Sequence, residues 1–131
     1  MAHSYHHAVS SARKWGGTPD DYLFLHSWMD SSKLILADFR HRALLHHAEG
    51  CWQAERLFGV TMTNSAGRVV PVRAIAEQHI VEDLGRIPSF ADWVRCIRPE
   101  PWMGRAGGMP TDDPGTPASP ETPITSGERH A

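Results

Sequence analysis

Apolar residues recur at helical spacing through the longest pattern in the chain, residues 38–58, which Gly59 closes. One stripe of that helix carries Phe39, Ala43, His46, Gly50, Ala54 and Leu57. Apolar side chains on neighbouring faces cover more than half of the circumference, which is typical of a helix packed on several sides. Gly50 costs about 1 kcal/mol relative to alanine within a helix, which indicates close packing at that point. The pattern therefore predicts a central helix over about 38–58.

Similar spacing predicts further helices over about 3–15, 20–33, 72–84 and 90–97, each bounded by glycine, proline or a capping residue. Between the central helix and the helix from residue 72, the apolar period shortens to two. That change predicts a short β-hairpin over about 60–72, folded around a four-residue turn. The expected fold is mainly α, a small bundle of four to five helices around the central helix with one hairpin.

Composition changes sharply at the carboxyl-terminal end of these patterns. Residues 104–131 contain five glycines, five prolines and no aromatic residue. Such a segment buries too little apolar surface to offset the entropy of ordering it. We expect one histidine-rich helical domain over 1–103 and a disordered tail over 104–131.

Charge narrows the expected partners of this domain. The chain has 15 acidic and 13 basic residues, and the four acids and two bases after residue 103 leave the preceding part neutral. A neutral domain without a basic block is unlike a broad nucleic-acid-binding surface. No apolar run is long enough to span a bilayer, and no signal-peptide pattern is present, so we expect a cytoplasmic protein without membrane association. A small-molecule or protein partner and self-association both stay open.

Nine histidines are the main chemical signal in this chain. His26, His46 and His79 each fall on an apolar face of a different predicted helix, with carboxylates nearby in sequence. Imidazole and carboxylate side chains converging inside a helical bundle suit Zn, Mn or Fe. The candidate metal ligands are His26, Asp38, His41, His46, His79 and Asp83. The competing interpretation is that these histidines are structural and hydrogen-bonded in the core, with no cofactor at all.

Two functions follow from these alternatives. A metal-bound water would allow hydrolysis of a phosphorylated or nucleotide-like substrate, which Arg40 and Arg42 could hold. The compact metal motifs HExxH and paired CxxC are absent from the sequence, and no catalytic residue can be assigned. The alternative is a non-enzymatic binding or accessory protein with structural histidines.

The segments DFRHRALLHHAEG and AEQHIVEDLGRIPSFADW, with HHAVSSARKWGGTPDDY and ERLFGVTMTNSAGRVVPVR, resemble an uncharacterised family of small bacterial and phage-encoded proteins. The resemblance covers about residues 3–103 and implies a compact domain. It implies no activity and no catalytic residue. A phage association would favour an accessory or host-defence-countering protein that works by binding.

Overall fold

The computed structural model describes residues 3–104 and confirms a mainly helical fold with one antiparallel hairpin. The α-helices and strands are α1 (Ser4–Trp15), α2 (Asp20–Met29), α3 (Ala48–Phe58), β1 (Thr61–Thr63), β2 (Val69–Pro71), α4 (Val72–Leu84), α5 (Phe90–Val94) and α6 (Pro101–Gly104). Two 3-10 helices, Ser31–Leu34 and Phe39–Leu44, lie between α2 and α3. Among the described helices, none combines the length and hydropathy of a membrane-spanning segment. Apart from Gly104, the predicted tail over 104–131 lies outside the described residues.

The chain divides after Trp93 into two compact units, and the first contains α1–α4 and the hairpin. Within this unit α1 packs against α2, α3 packs against α4, and α2 also contacts α4. An apolar core joins these elements, and we define it by Ala8, Trp15, Tyr22, Leu25, Met29, Leu45, Cys51, Ala54, Val70, Val72, Ile75, Ala76 and Ile80. The helices therefore enclose one shared interior.

The predicted single helix over 38–58 is wrong in its continuity. A 3-10 helix ends at Leu44, and α3 begins only at Ala48. His47 interrupts the helix because its backbone is extended and its Nδ1 accepts a hydrogen bond from the N–H of Gly50. This side-chain cap satisfies a donor that the first turn of α3 leaves unpaired. What was predicted as one central helix is two helices joined by a capped corner.

Gly50 is required by that corner. A Cβ atom added there would lie 1.8 Å from the carbonyl oxygen of Leu45, closer than any real contact. The chain before the corner thus passes directly over the first turn of α3. The close approach expected from the sequence is confirmed, and the neighbouring group is the backbone of the preceding segment.

The hairpin pairs Met62 with Val70 and is attached to the helices through Asn64. The Nδ2 of Asn64 donates to the carbonyl oxygen of Trp15 and to the hydroxyl of Tyr22. Its Oδ1 accepts backbone hydrogen bonds from the turn itself. One buried side chain therefore closes the turn and attaches the hairpin to α1 and α2. This attachment stabilises the hairpin, since a two-stranded hairpin is only marginally stable alone.

Candidate metal centre

Four segments far apart in sequence bring histidine and aspartate side chains together inside the first unit. We name this group the His/Asp cluster and define it by His7 on α1, His26 on α2, Asp30 at the end of α2, His46 before α3, and His79 and Asp83 on α4. The five residues other than Asp83 are buried, and the side chain of Asp83 is 2% exposed. His79 and Asp83 point the same way because they lie one helical turn apart.

Four donor atoms of the cluster face one another. The Nε2 of His46 lies 2.9 Å from Oδ2 of Asp83 and 3.6 Å from Oδ1 of Asp30. The Nε2 of His79 lies 3.3 Å and 3.2 Å from the same two oxygens. Ligands of a tetrahedral ion, each about 2.0–2.2 Å from it, are about 3.3–3.6 Å apart. Asp30, His46, His79 and Asp83 could therefore hold one metal ion.

The outer oxygens of the two carboxylates are bound by other side chains. Oδ2 of Asp30 accepts a hydrogen bond from the hydroxyl of Ser4 and lies 3.6 Å from Nζ of Lys33. Oδ1 of Asp83 lies 3.2 Å from Nε2 of His7 and 3.6 Å from Nη2 of Arg42. Each carboxylate thus has one oxygen anchored and one directed into the four-donor group, which holds the donor atoms in place.

Glu82 extends this support to α1. Its Oε1 lies 2.7 Å from Nδ1 of His7. Burial lowers the pKa of His7, but the carboxylates of Asp83 and Glu82 outweigh burial and leave that pKa raised. The two ring nitrogens of His7 thus each face a carboxylate oxygen, a setting that favours the protonated imidazole, and His7 stays outside the four-donor group.

The pKa values inside the cluster are set by burial and by the neighbouring charges. Burial acts to raise the pKa of Asp83, but contacts with His46, His7 and His79 hold it well below its ordinary range. Burial opposes a similar effect at Asp30, where His79 is the main partner and the pKa falls to about 2. Burial lowers the pKa of His46. Both carboxylates are therefore ionised at neutral pH beside an imidazole that favours its neutral form, the state in which each group binds a metal.

His26 lies on the side of the His79 ring that is opposite the carboxylates. Its Nδ1 lies 2.9 Å from Nδ1 of His79, and its Nε2 lies 2.8 Å from the hydroxyl of Ser11. Burial, followed by repulsion from His79 and His7, lowers the pKa of His26 to about 3. His26 is therefore a neutral side chain that touches a candidate ligand without joining the four-donor group.

Of the six ligands predicted from the sequence, the structure brings His46, His79 and Asp83 together and places His26 against His79. His41 is buried, but its Nδ1 lies 2.8 Å from the hydroxyl of Ser32. Asp38 caps the 3-10 helix at Phe39–Leu44 and lies on the surface. The latter two residues lie outside the four-donor group.

The two arginines predicted to bind substrate contact aspartates instead. Arg40 is exposed, and its guanidinium forms a two-pronged ion pair with Asp38. Arg42 is largely buried and approaches Asp83. A substrate-binding role for either arginine stays a prediction.

Two members of the cluster were not among the predicted ligands. Asp30 follows His26 by four residues on the inner face of its helix, and that spacing was a usable signal. His7 lies on α1 with His6, and His3 caps that helix. His3 and His6 are exposed, and nothing in the sequence distinguishes His7 from them. Burial of His7 follows from where α4 lies against α1.

No curated protein and no solved structure matches this chain. A family model described as "Domain of unknown function (DUF6915)" matches residues 2–103, which includes every residue of the His/Asp cluster. Since this match spans most of the sequence, the chain belongs to the DUF6915 family.

Proposed function

We propose that this protein binds one divalent transition-metal ion through Asp30, His46, His79 and Asp83. The observation that carries the proposal is the convergence of four buried donor atoms at separations of 2.9–3.6 Å between each nitrogen and each oxygen. Lys33 and Arg42 lie 3.6 Å from the outer oxygens of the two carboxylates, so they offset part of the negative charge of the group. A divalent ion between the inner oxygens and the imidazole nitrogens would offset the charge at the buried centre.

The donor set selects the class of ion. Imidazole nitrogens favour Zn, Fe and similar ions over Mg and Ca, while carboxylates also suit Mn. Zn, Mn and Fe are thus the ions to test, as the sequence suggested. The lack of cysteine in the four-donor group argues against softer ions such as Cu(I).

The ion would add a direct link between parts of the chain that packing and side-chain hydrogen bonds already join. Asp30 ends α2, His46 precedes α3, and His79 and Asp83 belong to α4. Four protein ligands that are all buried are typical of a structural metal site. We therefore favour a role in which the ion stabilises the domain as a binding or accessory protein.

A metal-dependent hydrolase is the second candidate, and one pocket favours it. A cavity of about 310 Å³ lies beside His41, whose ring packs edge-on against that of His46 at 5.6 Å. The other residues that line it are Ser32, Ile35, Leu36, Arg40, Ala43, Leu44 and Phe90. Its mostly apolar wall suits an apolar group better than a phosphate, so hydrolysis of a phosphorylated substrate ranks below structural binding.

Elemental analysis of the untagged protein, purified without added metal, tests the proposal. We expect close to one Zn, Mn or Fe per chain, and loss of that ion in His46→Asn and His79→Gln. Saturating ion should also raise the free energy of unfolding, by about 2.7 kcal/mol when its concentration is 100 times the dissociation constant.

His6→Ala is the matched control, because His6 is exposed on α1 and lies outside the cluster. It should retain the ion. A folded wild-type protein that stays metal-free after incubation with Zn, Mn and Fe would refute the proposal. Turnover of a phosphate ester by the metal-loaded protein, lost in His46→Asn, would instead favour the hydrolase.

A further inference from the structure

We infer that Gln78 and Ser11, acting through His26, place the ring proton of His79 on Nδ1 and so orient His79 as a metal ligand. This inference rests on the metal site proposed above. The three residues form a continuous hydrogen-bonded chain that ends at His79. They are positioning residues, because only His79 would touch the ion.

The donors and acceptors in this series of hydrogen bonds can be assigned starting from a backbone carbonyl. The Nε2 amide of Gln78 donates to the carbonyl oxygen of His7 at 3.0 Å. A carbonyl can only accept, so the amide NH2 must face it and Oε1 must face Ser11. Oε1 of Gln78 lies 2.5 Å from the hydroxyl of Ser11, and two oxygens that close need a proton between them. The hydroxyl of Ser11 also lies 3.1 Å from the carbonyl oxygen of His7, a longer contact, so its single proton is directed at Gln78 and, with either acceptor, is not donated to His26.

That assignment determines the tautomer of His26. With its proton donated to Gln78, the hydroxyl of Ser11 can only accept from Nε2 of His26, 2.8 Å away. Neutral His26 then has its proton on Nε2 and a lone pair on Nδ1. The neighbouring Nδ1 of His79, at 2.9 Å, must donate to that lone pair.

The proton on Nδ1 of His79 determines the state of Nε2, on the other side of the ring. When Nδ1 carries the proton that is donated to His26, a neutral His79 has its lone pair on Nε2. Nε2 is the atom that faces Asp30 and Asp83 at 3.2 Å and 3.3 Å. A lone pair pointing at two carboxylate oxygens is repulsive unless a cation lies between them, so this tautomer is matched to a bound metal.

His46 lacks such support. Its Nδ1 is buried without a hydrogen-bond partner among the described residues. His79 is thus the pre-oriented nitrogen ligand of the site, and His46 has to adopt its ligating tautomer when the ion binds.

The first test reads the proton positions directly. Side-chain nitrogen NMR of 15N-histidine-labelled, metal-free protein should show the proton of His26 on Nε2 and a proton on Nδ1 of His79. A proton on Nδ1 of His26 would overturn the inference. Because this measurement needs no metal, it decides the tautomers even if the ion fails to bind, so the two proposals can fail separately.

The second test measures affinity for zinc by competition with a chelator. Ser11→Ala removes the acceptor of His26 and should weaken zinc binding about 10–100-fold, as expected for loss of a group that supports a ligand. Ser10→Ala, on the same helix but outside the chain of hydrogen bonds, should bind zinc like the wild type. Ser11→Thr restores a hydroxyl and should recover most of the affinity. Unchanged affinity in a folded Ser11→Ala protein would contradict the inference, since a merely structural Ser11 would alter only stability.

Discussion

The interior of this protein has two regions built from the same helices. On α2, Leu25 belongs to the apolar core and the next residue, His26, belongs to the His/Asp cluster. On α4, Ile80 belongs to the apolar core and the preceding residue, His79, belongs to the His/Asp cluster. All four side chains are 0% exposed, so burial does not distinguish the two regions.

The regions differ in what stabilises them. The apolar core is stabilised by burial of apolar surface and by close packing, and neither depends on the protonation of side chains. The His/Asp cluster depends on complete pairing of charges and hydrogen bonds, because an unpaired buried polar group costs free energy. One part of a buried interior can therefore depend on protonation, and on the metal ion proposed above, while the adjoining part keeps the fold together.

Asp83→Asn should have the largest effect on stability and should act through the His/Asp cluster, leaving the apolar core unchanged. The substitution keeps shape but removes the charge that His7, His46 and Arg42 share. Breaking a buried ion-pair network typically costs about 3–5 kcal/mol, and we expect the free energy of unfolding to fall by that amount. The ion should be lost as well. Urea denaturation with and without zinc measures both effects, and wild-type stability with retained zinc would refute this account of the cluster.

Ile80→Ala should act only on the apolar region. Removing the buried side chain should lower the free energy of unfolding by about 2–5 kcal/mol, because a cavity is left behind. Zinc stoichiometry of the folded protein should stay at the wild-type level. Loss of zinc from folded Ile80→Ala would show that the two regions are not separable.

Acidification should destabilise the cluster gradually, because the unfolded chain takes up one or a few protons that the folded chain does not. The pKa of His26 is lowered from 6.5 to about 3, so the unfolded chain binds a proton that the folded chain does not. Stability should therefore fall as pH drops from about 6.5 towards 3, by at most about 1.4 kcal/mol per pH unit for each such proton. The lowered pKa of His46 acts in the same direction, and that of Asp30 adds to the loss below about pH 4. His7 has a raised pKa and contributes stability that is lost only as pH rises above 6.5.

Urea denaturation across pH 8 to 4, with chelator present, measures this dependence. His26→Gln should flatten the fall below pH 6.5, whereas Ile80→Ala should give a curve parallel to the wild type. A pH-independent wild-type stability in this window would contradict the burial of neutral His26.

The sequence alone predicted the elements that depend on local signals. The hairpin followed from a change of apolar period, and the end of α4 followed from Gly85, which adopts φ +78°. His79 and Asp83 could be placed on one face because both belong to a single helix with regular spacing. Such features are set by residues within one or two turns of each other.

The break at His47 was missed because a histidine cap carries little local signal. Apolar spacing runs through residues 38–58 without interruption, and histidine is not among the residues that usually begin helices. The tertiary structure places the Leu45 carbonyl over Gly50 and bonds the ring of His47 to the backbone on both sides of the corner. Contacts of this kind decide where the helix breaks.

Membership of the four-donor group was likewise decided by tertiary structure. Residue types and helical spacing identified His46, His79 and Asp83 as candidates, but they equally identified Asp38 and His41. The packing of α2 beside α4 brings Oδ1 of Asp30 to 3.2 Å from Nε2 of His79. Asp38 lies on the surface, where it caps the 3-10 helix at Phe39–Leu44, and so stays outside the four-donor group. Sequence determined which side chains were available, and the packing of distant segments determined which of them meet, because a metal site is a set of distances that no single helix contains.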